Sequence, residues 1–480
     1  MTAAPMATGP VTAAPVTAAP ETAAPETAAP ETSSSETSSS ETTSPLVSGP
    51  LGRWFAEAGE RRYTRTRRIP LDALEGWHTA ARTGDLVHDR GAFFTVRGLD
   101  VSAPEGPVPH WAQPILDQPE TGILGLLAKD FGGRAHFLVQ AKPEPGNAGG
   151  LQLAPTVQAT RSNFTRAHGG RTVPYLRHFR DPSPRRLVAD VRQSEQGAWF
   201  YRKRNRNMIV RTTEDVEVLP GYRWMTLPRI HALLGAGDVV NMDARSVLAC
   251  LPPPPGTAGR ALHPGREILH WLTGVRSRAG LRTRPVPLGG LPGWHRTEHA
   301  VSHDTGRFFD VIAVEVRAGG REVRRWTQPM LRPHGTGLIA FLLTRVDGVP
   351  HVLVHAAAEP GSVDEAELTA TVCCTPENYD VLPPGARPPF LDEVLAAPPE
   401  RVLFDALLSE EGGRFHHALN RYLIVAVDGP GPYEDAGTHR WMTAHQLSAL
   451  LRHSHYVTVQ ARTLLTCLRS LTGPNPTLER

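Results

Sequence analysis

The stretch HFLVQAKPEPG, residues 136–146, returns 215 residues later as HVLVHAAAEPG, residues 351–361. The same spacing relates FFTV at Phe93 to FFDV at Phe308, and Trp111-Ala-Gln-Pro to Trp326-Thr-Gln-Pro. QSEQGAWF from Gln193 matches LSEEGGRF from Leu408, and Asn205-Arg206 matches Asn420-Arg421. The register drifts by only two residues before Trp224-Met-Thr meets Trp441-Met-Thr and RSVLACL meets RTLLTCL. A long period held over nearly the whole chain is the mark of an internal duplication. The chain therefore reads as two copies of one unit, residues 51–251 and 266–475, joined by the proline-rich linker 252–265. Helical and strand patterns alternate in each copy, so each is expected to be an α/β (α+β) domain.

Residues 1–48 are a degenerate five-residue repeat (VTAAP, ETAAP, ETSSS) with almost nothing to bury, and are expected to form a disordered tail. A formal net charge of +3 over 480 residues is too small to point to nucleic acid. The four cysteines, Cys250, Cys373, Cys374 and Cys467, form no CxxC pair. No disulfide framework or cysteine zinc site is expected, and a reducing cytoplasmic setting fits. No apolar run reaches the ~18 residues of a membrane span, and no basic-then-apolar leader opens the chain, so neither a membrane nor a secretory destination is expected.

Within the first copy, LGRWFAEAGE, DALEGWHTAARTG and TGILGLLAKDFGG read as helices by their apolar spacing and trailing glycines. AFFTVRGLDV, RAHFLVQAKPEPG and LQLAPTVQAT read as strands, and WFYRKRNRNMIVR as a hairpin arm. TLPRIHALLG and DARSVLACL read as amphipathic helices.

Three stretches are polar where a buried sheet would be apolar. QAKPEPGN offers Lys142 and Glu144 at a Pro/Gly break beyond an apolar strand, where a loop can face a ligand. PTVQATRSNFT clusters Gln158, Thr160, Arg161, Ser162 and Asn163; amides and hydroxyls suit a pyrimidine base or sugar, and arginine suits a phosphate. QSEQGAWFYRKRNRNMIV carries Glu195 and the basic run Lys203, Arg204, Asn205, Arg206, a composition that suits a diphosphate. A solvated turn, a polar strand end and a charged edge strand are the ordinary structural alternatives for the three. The second copy keeps Glu359, Asn378, Glu410, Arg414 and Arg421 as a related set. It loses Lys142 (Ala357), Arg161 (Pro376), Lys203 (Ala418) and Arg204 (Leu419), so the productive site is expected in the first copy.

His295, His299 and His303 would share a helix face, but the segment runs into Asp304-Thr-Gly, a turn; no metal site is expected there. GxxxxGK[ST], a strand-borne GxGxxG, HExxH and GxSxG find no convincing context, which argues against P-loop, Rossmann, zincin and serine-hydrolase chemistry.

HFLVQAKPEPGN, LQLAPTVQATRSNFT, QSEQGAWFYRKRNRNM, RWMTL and VNMDARSVLACL, with PPFLDEVL, LSEEGGRF, RWMTAHQL and QARTLLTCL in the second half, resemble the NDP-hexose 2,3-dehydratases over about residues 51–472. The resemblance implies a tandem repeat of two Nudix-like domains and a homodimer. It also implies a dTDP-4-keto-6-deoxyhexose substrate on the way to the 2,6-dideoxysugars of antibiotics, and an unstable product taken up by a ketoreductase. TVCCTPENY departs from the expected run, with Cys373 at the glutamine position. The Nudix hydrolase signature, whose glutamates bind divalent metal, is absent. The chemistry needs no cofactor: the 4-ketone acidifies the hydrogen on carbon 3, a base removes it, donors hold the enolate, and the carbon-2 hydroxyl leaves with acid assistance. Glu195 is the first candidate for base or acid, with Glu144 and His136 behind it. Lys142 is a candidate enolate clamp, and Arg161, Lys203, Arg204 and Arg206 are candidates for the diphosphate. A metal-dependent Nudix-type hydrolase and a non-catalytic nucleotide-sugar binder are the other readings.

Because residues 1–48 lack core-forming side chains, their deletion is expected to leave melting temperature and turnover nearly unchanged. A truncated chain that melts several degrees lower would show that the tail packs.

Overall fold

In a computed structural model, residues 49–91, 93–160, 173–253, 256, 259–321, 323–434 and 437–472 are described, so the expected tail at residues 1–48 lies outside them. Each copy builds one large mixed sheet. In the first, Arg204–Arg211 runs parallel to Gly122–Phe131 and antiparallel to the edge strand Leu187–Ser194. Arg134–Pro143 and Tyr222–Thr226 continue the sheet on the other side. The second copy repeats this with Gly337–Val346, Leu419–Ala426, Val402–Ser409, Val349–Ala357 and His439–Thr443.

The copies are interlocked. Tyr63–Ile69, from the first copy, pairs antiparallel with Phe309–Gly319 of the second. Arg282–Val286, from the second, pairs with Thr95–Ser102 of the first. Each copy thus gives its leading strand to the small five-stranded sheet of the other. The large core is shared too: Phe137, Val247 and Leu248 belong to one cluster with Phe341, Leu464 and Leu465.

Two expected helices are strands instead. GILGLLAKDF is extended over Gly122–Phe131, and its first seven residues are all buried. A strand at the centre of a covered sheet is apolar on both faces, so periodicity cannot separate it from a buried helix. Gly125 is required there, since a Cβ would come within 2.4 Å of the Phe179 ring. DALEGWHTAARTG breaks at Gly76, whose φ of 75° stops any helix, and continues as the short strand Trp77–Thr79. The expected helices at LGRWFAEAGE, TLPRIHALLG and DARSVLACL form as Gly49–Arg61, Leu227–Leu234 and Met242–Ala249. Asn241 caps the last of these through the amide of Ala244.

The glycine that ends each copy of the opening motif marks where the two backbones touch. Gly361 donates to the Gly197 carbonyl at 2.7 Å and accepts from the Arg202 amide at 2.7 Å. Gly146 accepts from the His417 amide, and Gly413 donates to Pro145, both at 2.7 Å. A Cβ on Gly361 would sit 1.8 Å from the Phe200 carbonyl oxygen. Gly361→Ala should therefore cost at least about 2 kcal/mol. Urea unfolding should show one cooperative transition for both proteins, with its midpoint lowered in the variant. Two separate transitions in the parent would contradict the interlocked core.

Candidate active site

Two cavities lie between the large and small sheets, and both copies build each of them. The first, of about 650 Å³, takes Lys142, Glu144, Gln158, Thr160, Lys203, Asn205 and Asp243 from the first copy. The second copy reaches into it with Arg321, Trp326, Gln328 and the turn Glu411–Arg414. The other, of about 590 Å³, takes Glu359, Cys373, Asn378, Glu410, Asn420 and Gln460 from the second copy, with Gln113, Gln196 and Trp199 reaching in from the first.

Matched positions carry opposite character. Lys142, Lys203, Asp243, Glu411 and Arg414 of the first cavity correspond in sequence to Ala357, Ala418, Gln460, Gln196 and Trp199, the last three of which line the second. Arg90 and Arg321 add to the first, whereas no Lys or Arg is among the described residues lining the second. The chain has only three lysines, Lys129, Lys142 and Lys203, and two of them line this cavity.

Exposure grades the cavity from mouth to floor. Arg90 and Val323 are exposed, whereas Asp243, Lys203, Asn205 and Glu144 are buried. At the floor the Lys142 ammonium lies 3.0 Å from Glu144 Oε1. Gln158 Nε2 donates to the same oxygen at 2.8 Å, and Asn241 orients the Gln158 amide at 3.3 Å. Lys203 donates to the Glu120 carbonyl, and burial holds its ammonium below the usual lysine range. Burial, with repulsion from Glu411 and Glu144, pushes the Asp243 carboxyl well up. Burial, with repulsion from Glu195, raises Glu411 to about 8.

Of the residues expected from sequence, Lys142, Glu144, Gln158, Thr160, Lys203 and Asn205 converge on the first cavity. Arg161, Ser162 and Asn163 lie outside the described residues. Glu195 sits behind the wall, buried at 4% exposure, with Oε1 accepting from Asn205 at 2.8 Å. His136 is placed elsewhere, at the far end of Arg134–Pro143, bonded to the Arg134 carbonyl. Arg204 and Arg206 also leave the site. Successive strand residues face opposite ways, so Lys203, Asn205 and Asn207 turn inward and the arginines between them turn out. Arg206 forms a bidentate pair with Asp190 at 2.7 and 2.6 Å, and Arg421 does the same with Asp405 at 2.9 and 2.6 Å.

In the second cavity, Glu359 accepts from the Gly197 amide at 2.8 Å, and Asn378 accepts from the Phe308 amide at 3.1 Å. Glu410 accepts from Gln196, Asn420 and Tyr422, each at 2.6 Å. Arg414, expected to serve the second copy, instead stands in the first cavity, 4.2 Å over the Phe94 ring and 3.0 Å from Gln118 Oε1. Asp243, Arg321 and Glu411 were not singled out from sequence. The signal for the last was the SEQ/SEE difference between copies, read within each copy rather than across the seam. His295 and His303 lie on paired strands rather than one helix face, and among the described residues no His, Cys, Asp or Glu cluster is arranged to hold a metal.

The family model described as NDP-hexose 2,3-dehydratase matches residues 49–251 and again 265–468. Three relatives are each named dTDP-4-dehydro-6-deoxy-alpha-D-glucopyranose 2,3-dehydratase. One from Amycolatopsis orientalis is 47% identical over 426 residues, covering 87% of this chain and 89% of its own. One from Saccharopolyspora spinosa is 46% identical over 439 residues, 87% and 90%. One from Streptomyces violaceoruber is 47% identical over 429 residues, 87% and 96%.

Arg206→Ala and Arg421→Ala remove half-exposed cross-strand pairs, so each should cost no more than about 1 kcal/mol and leave nucleotide affinity unchanged. Urea midpoints and calorimetric titration with dTDP test this. A tenfold weaker titration for Arg206→Ala would return that residue to the site.

Proposed function

The chain belongs to the NDP-hexose 2,3-dehydratase family, and we propose that it removes water across carbons 2 and 3 of a dTDP-4-keto-6-deoxyhexose in the first cavity. The one-sided charge carries the choice of cavity: Arg90, Lys142, Lys203, Arg321 and Arg414 line the first, and no Lys or Arg is among the described residues lining the second. Each charge-assisted bond to a diphosphate contributes about 1.5–3 kcal/mol, so the second cavity, which has Glu359 and Glu410 but no lining cation among the described residues, is a poor host for one. The partly exposed rings of Phe93 and Trp326 suit the base, the arginines suit the diphosphate, and the hexose goes to the buried floor.

At the floor, Glu144 is the base. Lys142 and Gln158 hold its Oε1, leaving the other oxygen to take the carbon-3 proton. The electrons move into the 4-carbonyl, whose developing charge the Lys142 and Lys203 ammoniums stabilise. The carbon-2 oxygen bond then breaks and the hydroxyl departs with a proton from an acid. The enol left behind tautomerises to a 3,4-diketo sugar. No step calls for a nicotinamide or a metal. An unstable diketone calls for a downstream ketoreductase, and the family likeness supports a homodimer and a role in antibiotic deoxysugar synthesis. A parallel strand pair inside a mixed sheet in each repeat supports the Nudix-like reading. Among the described residues no helix is long and apolar enough to cross a membrane, and the free cysteines suit the cytoplasm.

Glu144→Gln should lower turnover by ~100-fold or more with little change in dTDP affinity, while Glu359→Gln should leave turnover within a few-fold. The assay follows loss of a dTDP-4-keto-6-deoxyhexose in the presence of a trapping ketoreductase and its own cofactor. The reverse ranking would move the reaction to the second cavity; intact substrate with the parent enzyme would remove the assignment.

A further inference from the structure

The matched cavities expose a difference at the seam. Around the second cavity, Gln196 Nε2 of the first copy donates to Glu410 Oε2 at 2.6 Å. The matched residues at the first cavity are Glu411 and Glu195. There the amide is replaced by a carboxyl, so a proton is required where the amide hydrogen would stand. Both Glu195 Oε2 and Glu411 Oε2 are buried with no hydrogen-bond partner among the described residues. The other oxygen of Glu195 is taken by Asn205, as Asn420 takes that of Glu410. Two bare carboxylates side by side in a buried seam would repel strongly, whereas one shared proton turns the repulsion into a short hydrogen bond.

We infer that Glu195 and Glu411, one from each repeat, share a single proton, and that this proton goes to the departing hydroxyl. Resting on the dehydratase reading above, the step balances simply. Glu411 lines the cavity and Glu195 does not, so Glu411 gives its proton to the hydroxyl as the carbon-2 oxygen bond breaks, and water leaves. Glu195 takes the role of a positioning residue that holds the proton on its partner. The carbon-3 proton resides on Glu144 after the elimination; its loss to solvent and the uptake of one by the pair reset the site.

Groups from every neighbouring element bear on the pair. Arg462, on the helix Val459–Thr472, and Lys203 favour negative charge; Asp243, on Met242–Ala249, opposes it, as do Glu144 and Glu410. Arg414 favours charge on Glu411. Burial outweighs the cations, and Glu411 titrates at about 8. A carboxyl whose folded value lies above its unfolded value of ~4.5 binds more protons folded than unfolded. Stability from this group is fullest below pH ~4.5 and falls as pH rises through about 8.

Glu411→Gln recreates the neutral bond of the second cavity and makes a decisive variant. Its melting temperature should exceed that of the parent at pH 9, with the gap closing towards pH 5, while turnover drops by ~100-fold or more at little-changed KM. Gln196→Glu should plant the pH-dependent loss in the second cavity, melting progressively lower than the parent as pH rises. A Glu411→Gln gap independent of pH would overturn the shared proton, and unchanged turnover with an unchanged pH profile would overturn its destination. A parent that does not dehydrate its substrate but shows the pH-dependent gap would sink the dehydratase reading and leave the pair standing.

Discussion

Two fully buried arginines, each handed from one repeat to the other, hold the molecule together. Arg462 donates to the Ser194 carbonyl at 2.7 Å, to Ser246 Oγ at 2.9 Å and to the Val457 carbonyl at 2.8 Å. Arg245 donates in the mirrored way to the carbonyls of Ser409 and Val240. Neither is exposed at all, and neither makes an ion pair among the described residues. A guanidinium can be buried without a carboxylate only if carbonyls and hydroxyls receive its fixed fork of donors. Each Ser-Glu turn supplies one of those acceptors, and the Val457 or Val240 carbonyl of the arginine's own repeat supplies another. Glu367 grips the Ser194 hydroxyl and Gln152 the Ser409 hydroxyl, so each turn is held at both ends by the opposite repeat.

That constraint explains why the site is shared. The turn that one copy presents to the clasp carries the next residues into the other copy's cavity. Glu411 and Arg414 thereby join Lys142, Glu144 and Lys203, although more than two hundred positions separate them in the chain. Duplication supplied two equivalent seats, and substitution in either copy could place cations in one seat and leave the other without them. A buried seat that must carry ammonium and carboxylate groups together is costly in desolvation. Here the cations are assembled once, and Ala, Gln and Trp stand at the matched positions of the sequence.

Much of the scaffold was legible before any coordinates. The period of 215, the strand at HFLVQAKP and the helix at DARSVLACL come from local patterns and hold in three dimensions. The alternation in Lys203-Arg204-Asn205-Arg206-Asn207 was also readable. A strand there must point the lysine and asparagines one way and the arginines the other, which separates cavity residues from surface pairs. Reading the run as one basic cluster overlooked that rule. The helix expected at GILGLLAKDF failed for a different reason: a segment buried on all sides carries no periodicity to distinguish the two forms.

By itself the sequence determined the duplication, most element types, the resemblance to sugar-nucleotide dehydratases and six of the residues that gather at the first cavity. Those properties depend on near neighbours, where spacing and side-chain type dictate which face is buried. Only the tertiary structure decided that Glu411 and Arg414 line the opposite repeat's cavity and that Glu195 stands buried behind its wall. Those facts follow from the exchange of leading strands and the crossed arginine clasp, which bring distant segments together through space and leave no local periodicity in the chain.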